Sequence, residues 1–170
     1  MAVKARGLGT WQDVFSEFKS QTGLFANSTY DLPSSTNPRL AGGMRWTAND
    51  YMAFLKALVN GSLLSTSSMN QLLSDQIASA SIGNSPPLTD LGEQWHYSFG
   101  LWHECQNTSY TCSPGTRMSS PGSYGAYPFW NKSEGYFGIV ARQGALGTYP
   151  KGIEIERAVR TKADAWAACK

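Results

Sequence analysis

Few residues in this chain have types and spacings that could do chemistry. Ser16-Glu17-Phe18-Lys19 is an S-x-x-K. On a helix its serine and lysine lie one turn apart, so the amine could take the hydroxyl proton and make the serine a nucleophile. The competing reading places both on the polar face of an amphipathic helix. His96 and His103 stand seven residues apart in one run expected to be a strand. That odd spacing puts them on opposite faces, so they cannot share a metal by themselves. Cys105 falls on the His103 face, but two ligands do not make a zinc site. No metal and no cofactor are expected. No G-x-x-x-x-G-K-[ST] and no G-x-G-x-x-G between a strand and a helix occurs, and no G-x-S-x-G elbow holds a serine.

The remaining cysteine question concerns Cys105 and Cys112, which flank a short polar segment. They form either a disulfide in an oxidising compartment or two thiols beside a loop. Cys169 reads as a free thiol. Four Asn-x-Ser/Thr sequons, at Asn27, Asn60, Asn107 and Asn131, are consistent with chance in a polar chain.

The elements that position these residues follow from periodicity. The 170 residues suit a single domain, 1–170. Trp11, Val14, Phe15 and Phe18 form one apolar stripe, predicting a helix from Trp11 to Lys19 capped by Gly23. Thr47 reads as an N-cap, with Asp50 as an acidic capping-box residue. The helix it opens carries Tyr51, Phe54, Leu55 and Leu58 and stops at Asn60-Gly61. A further helix is expected over about Met69 to Gln76, then an irregular connection. Three strand segments follow: "WHYSFGLWHEC", "TRMSSPGSYGAYPFW" and "GYFGIVARQ", the last two joined by a turn at Asn131–Glu134. Gly122 marks a break in the second, and Pro128 favours an edge or a bulge there. A last helix is expected to carry Ile155, Val159 and Trp166 on one stripe, with Ala163 beside them. The fold class is therefore α+β of the α/β sandwich type: helices, about three antiparallel strands, and a C-terminal helix.

Charge excludes some partners. The net charge is +2, and charged residues make up only 15% of the chain against about 25% in typical domains. The basic residues are scattered, so no nucleic acid is expected. No apolar run reaches the length of a membrane span, and the first residues lack the apolar core of a signal peptide.

Four segments in order resemble the serine β-lactamase and penicillin-binding-protein superfamily, in its class C-like β-lactamase and esterase branch. They are "NPRLAGGMRWTANDYMAFLKALVNG", "LLSTSSMNQLLSDQ", "YSFGLWHE" and "SSPGSYGAYPFWNKSEGYFGIVARQ". The resemblance covers roughly Thr10 to Val159 and looks like the C-terminal part of that fold, a partial β-lactamase/transpeptidase-like fold. It implies acyl transfer from a small ester or amide, and a secreted or periplasmic setting. Of the family's three motifs only the third has a counterpart, Ser120-Pro121-Gly122, with a serine where the family carries Lys or His. The resemblance then implies that Ser123 N–H is an oxyanion donor, that Gly122 lets substrate approach, and that Ser120 hydrogen-bonds substrate. No Y-x-N occurs, and Ser16-x-x-Lys19 lies after the place where both missing motifs belong. The expected protein is thus a partial serine hydrolase, inactive alone. The alternative is a binding or assembly module that forms a homodimer or joins a complementing chain through an open sheet edge.

Overall fold

The computed structural model describes Gly7 and residues 9–169. The chain groups into two compact units, Met1–Leu63 and Leu64–Lys170. Each is described by itself.

In the first unit, helix α1 runs Trp11–Thr22. Thr10 and Asp13 close a reciprocal capping box, the Thr10 hydroxyl accepting from Asp13 N–H at 3.2 Å and the Asp13 carboxylate from Thr10 N–H at 2.8 Å. Gly23, at φ 69°, ends the helix in the left-handed region. Strands β1 (Thr29–Tyr30) and β2 (Met44–Arg45) pair antiparallel. Helix α2 spans Ala48–Val59, capped by Thr47. Phe25 is buried between the helices, with ring centroids 6.3 Å from Phe15 and Phe18 of α1 and 5.3 Å from Phe54 of α2. The Asp50 carboxylate does not reach back to its cap. It accepts from Ser28 Oγ at 2.6 Å and Asn27 N–H at 3.0 Å, tying α2 to the loop before β1.

The second unit opens with α3, Thr66–Leu73, capped by Ser65 and so three residues earlier than the apolar pattern suggests. Helix α4, Pro86–Leu91, lies inside the stretch expected to be irregular. Its signals were present: Ser85 as N-cap, Pro86 in the first turn, and Gly92 at φ 68° after the end. The three expected strand segments resolve into five strands. These are β3 (His96–Tyr97), β4 (Trp102–His103), β5 (Arg117–Ser119), β6 (Tyr127–Asn131) and β7 (Tyr136–Val140), antiparallel in that order. Helix α5, Tyr149–Ala168, packs on β6 and β7. The architecture is α+β.

Pro128 causes no bulge. The β6–β7 register is continuous from Tyr127↔Val140 to Asn131↔Tyr136, with Pro128 opposite Ile139. A residue in an antiparallel ladder aims its N–H and C=O at the same neighbour. The Pro128 carbonyl accepts from Ser120 N–H at 3.1 Å, so the missing donor falls on the β5 side, just where β5 ends. The ladder to β7 loses nothing.

The core is Trp95, Tyr127 and Ile153, with Leu91, Trp102, Phe129, Val140 and Tyr149 packed around them. Beside it lies a charged layer. Arg117 binds Glu104 at 3.1 Å and Glu156 of α5 at 2.7 Å, and Arg160 binds Glu156 at 2.6 Å. The Tyr127 hydroxyl donates to Glu104. This corrects the expected face of α5. Its buried line is Gly152, Ile153, Glu156 and Ala167, whereas Ile155, Val159 and Trp166 are exposed. Helical spacing groups the apolar residues correctly, but the sheet selects the face that pairs with Arg117. Gly152 lies at the tightest approach, where a Cβ would collide with the Gly125 carbonyl and crowd Tyr127.

Cys105 and Cys112 form a disulfide, with Cα atoms 5.5 Å apart. Cys169 is an exposed free thiol. Among the described residues no helix is long and apolar enough to cross a membrane.

Candidate active site

The loop from Ser120 to Ala126 joins β5 to β6. Its first residues keep the β5 direction, with Ser120 N–H bound to the Pro128 carbonyl. It then turns back: Gly122 N–H donates to Ala126 O at 2.8 Å, and Gly125 N–H to Gly122 O at 2.8 Å. Gly125 has φ 95°, a conformation that side chains with a Cβ rarely adopt. The space where its side chain would stand is filled by the Arg142 guanidinium.

The segment after β7 locks this loop from outside. Gly144 N–H donates to Tyr124 O at 2.7 Å and Gly147 N–H to Ser123 O at 2.9 Å. Arg142 Nη1 donates to Tyr124 O at 2.9 Å and to Thr148 Oγ1 at 2.8 Å. The carbonyls of Gly122, Ser123 and Tyr124 are therefore all occupied. Ser123 N–H donates to no described residue, and Ser123 itself is exposed. Ser120 and Gly122 are half-buried beside it. The loop thus leaves the Ser123 N–H, like those of Tyr124 and Ala126, without a protein acceptor, next to a neutral hydroxyl. A fixed donor of this kind stabilises developing negative charge without having to reorganise.

Comparison with solved structures finds a neighbour of matching fold. It is a crystal structure described as a "putative beta-lactamase from Bacteroides dorei DSM 17855". The TM-score is 0.68 at 24% identity, over 94% of this chain and 53% of the other. The chain has a partial β-lactamase-like fold. It spans about half the length of that neighbour. No family profile matches the chain, and no curated protein matches it.

Ser16 and Lys19 belong to the first unit. Lys19 Nζ donates to Ser28 O at 3.1 Å and Ala26 O at 3.3 Å and lies 5.5 Å from the Phe15 ring centroid. Ser16 is exposed, and no hydrogen bond joins it to Lys19.

The two histidines are not on one strand. The run turns at Phe99-Gly100, Gly100 having φ 84°, and His96 pairs directly with His103 across the β3–β4 hairpin. Both therefore face the same side of the sheet. His96 Nδ1 lies 2.6 Å from Asp75 Oδ2, and the Tyr110 ring stacks on the His96 ring at 3.6 Å. His103 Nδ1 accepts from Gly115 N–H at 2.9 Å, so its neutral ring carries the proton on Nε2, which is buried without a partner. Among the described residues no group of three or more His, Cys, Asp or Glu is placed to hold a metal. Sequence reasoning missed Asp75 and Arg142, because both act on residues over ten positions away and carry no local pattern.

This cluster sets a pH dependence. Burial lowers the His103 pKa below its ordinary 6.5, with the Asp75 charge pulling the other way. A depressed histidine contributes stability above the unfolded pKa and loses it as pH falls toward the folded value. Stability is expected to hold at neutral pH and to decline below about pH 6.5. Asp75 adds to this at lower pH. Burial opposes its charge, but hydrogen bonds from His96 and from the backbone at Ile77 and Ala78 prevail and lower its pKa below 3.8. Urea midpoints measured from neutral pH down to about pH 5 check the first step. His103→Asn, whose Oδ1 can accept from Gly115 N–H, is expected to flatten the curve over that window, and an unchanged slope in the variant would refute the assignment.

Proposed function

We propose that the Ser120–Tyr124 loop is the oxyanion and substrate wall of a β-lactamase-like acyl-transfer site, and that the chain alone does not turn over substrate. The observation that carries this is the free Ser123 N–H, at the Ser120-Pro121-Gly122 position, in a turn whose next two carbonyls are bound by Gly147 and by Gly144 and Arg142. In such a reaction a serine attacks an ester or amide carbonyl, and the carbonyl oxygen gains negative charge. Ser123 N–H would donate to that oxygen, a contact worth about 10²–10³ in rate where one such donor has been removed elsewhere. Ser120 is neutral, so it can hydrogen-bond a substrate carboxylate but cannot pair with it as a cation does. Esters without a carboxylate beside the scissile bond therefore fit this wall better than β-lactams or peptides.

The test is binding of a tetrahedral anion. A phosphonate monoester titrated into the chain is expected to shift the Ser123 amide resonance most. A titration that leaves this amide unmoved while others shift would count against the site. Nitrocefin and p-nitrophenyl esters are expected to show no turnover above background. Turnover abolished by Ser16→Ala would place the nucleophile on α1 and overturn the reading.

A second reading is favoured by the position of β7 at one end of the five-stranded order. There the chain is an assembly module, pairing through that edge with another polypeptide.

A further inference from the structure

The Cys105–Cys112 disulfide closes a short ring after β4, its cysteines seven positions apart. The two sulfurs have unlike surroundings. Cys105 is only 2% exposed, whereas Cys112 is half-buried. Asn107 Nδ2 donates to Cys105 Sγ at 3.7 Å. Thr111 Oγ1 lies 3.9 Å from the same sulfur and accepts from Asn107 Nδ2 at 2.8 Å. A disulfide sulfur carries no proton, so the Thr111 hydroxyl is the donor of its pair. The Ser109 carbonyl is a third neighbour of that sulfur, at 3.9 Å. Among the described residues no hydrogen bond reaches Cys112 Sγ.

The ring also leans on β3. Gln94 holds it at two points: its N–H donates to Asn107 O at 2.8 Å, and its Oε1 accepts from Tyr110 N–H at 2.9 Å. The Tyr110 ring stacks on His96, with 3.6 Å between centroids and 9° between planes. His96 Nδ1 in turn lies 2.6 Å from Oδ2 of Asp75, just beyond α3. A line of contact thus runs from the disulfide through Tyr110 and β3 to the end of α3.

We infer that Cys105–Cys112 is a redox-active bond, opened by a thiol at Cys112, whose state is passed through Tyr110 to the His96–Asp75 pair. Exchange depends on which sulfur is reached and on how well the other carries charge as it leaves. Here both requirements select the same direction. The thiolate of a small thiol, R–S⁻, bonds to Cys112 Sγ. The Cys105–Cys112 bond breaks, and its electron pair leaves on Cys105 as a thiolate. Asn107 Nδ2 and the Thr111 hydroxyl already face that sulfur, and a hydrogen bond strengthens when its acceptor becomes an anion. A second thiolate then attacks the R sulfur of the mixed disulfide, releasing Cys112 and forming R–S–S–R. The protons given up by the two thiols end on Cys105 and Cys112. Two thiols are oxidised and one disulfide is reduced. The new Cys105 thiol can donate to the Ser109 carbonyl. With the ring open, Tyr110 loses its covalent anchor and His96 its stacked cover.

This is independent of both functional readings above. For the test, the Cys169→Ser chain, which lacks the exposed free thiol, is treated with glutathione and quenched with iodoacetamide in denaturant. Peptide mass mapping is expected to find glutathione on Cys112 and the alkyl group on Cys105. Glutathione on Cys105, or a bond that opens only in denaturant, overturns the inference. Thr111→Val and Asn107→Asp are each expected to slow opening about three- to tenfold, by taking a donor from the departing thiolate. Thr111→Ser keeps the hydroxyl and is expected to keep the rate. Unchanged rates in the first two variants overturn the role of Cys105 as leaving group. Reduction with dithiothreitol is expected to move the His96 Hε1 resonance downfield as the Tyr110 ring departs, with far-UV circular dichroism unchanged. A His96 resonance that stays in place overturns the transmission to Asp75, and a global loss of dichroism makes the bond a structural staple and overturns the switch.

Discussion

Replacing Arg117 with methionine is expected to cost about 3–5 kcal/mol of stability, because it leaves the buried Glu104 carboxylate without its close cation and strips Glu156 of one of its two. Arg117 Nε donates to Glu104 at 3.1 Å and Nη2 to Glu156 at 2.7 Å, and both glutamate side chains are at most 3% exposed. Burial works against the Arg117 charge, yet the Glu104 and Glu156 carboxylates, with a hydrogen bond to the Tyr127 hydroxyl, outweigh it and hold its pKa above the ordinary value. Tyr127 is itself pushed up, by burial first and then by the Glu104 charge, so it stays protonated and donates. Arg160 still meets Glu156 in the variant, but Glu104 keeps only the Tyr127 hydroxyl as a close partner. In urea the midpoint is expected to fall by roughly 2 M for a slope of about 2 kcal/mol/M. Adding Glu104→Gln should recover part of the loss, because most of the cost is the uncompensated charge rather than the pair. A loss under about 1 kcal/mol, or no recovery in the double variant, would show that water reaches this layer.

Trp95→Ala is expected to cost a similar ~3–5 kcal/mol by a different route. Trp95 is fully buried between Trp102 and the Tyr127–Ile153 pair, so truncation leaves a large cavity. It also removes the Nε1–H donor to Glu93 Oε2 at 2.8 Å, from a carboxylate that already binds Arg157. Trp95→Phe separates the two effects. It keeps most of the ring and loses the donor, and about 1.5–3 kcal/mol is expected for a hydrogen bond to a charged group. Equal losses in the two variants would assign the whole effect to the hydrogen bond. The first variant tests the ionic layer that fixes β5 to α5, and the second tests the apolar core beside it.

The sequence by itself determined the local elements. Thr47 and Gly23 predicted the caps of α2 and α1, because a cap is a contact within four residues. The Asn131–Glu134 turn and the α+β order of elements were legible for the same reason. The sequence also singled out the Ser120-Pro121-Gly122-Ser123 stretch, since small residues and glycine before an aromatic strand mark a turn with exposed backbone.

Only the tertiary structure decided the rest. An aromatic run with near-perfect alternation reads as one strand, and nothing local shows that Gly100 folds it back and sets His96 against His103. The stripe of Ile155, Val159 and Trp166 looks like a buried face, yet Glu156 and Arg160 are the buried side of α5, because Arg117 waits on the sheet beneath them. Pro128 looks forbidden in a central strand until its missing N–H is seen to fall where β5 ends. In each case a local pattern names the surface, and the partner that covers it lies tens of residues away. The free Ser123 N–H follows the same logic: the turn was readable, but the donor is held in place by Arg142, Gly144 and Gly147 across a gap no periodicity spans.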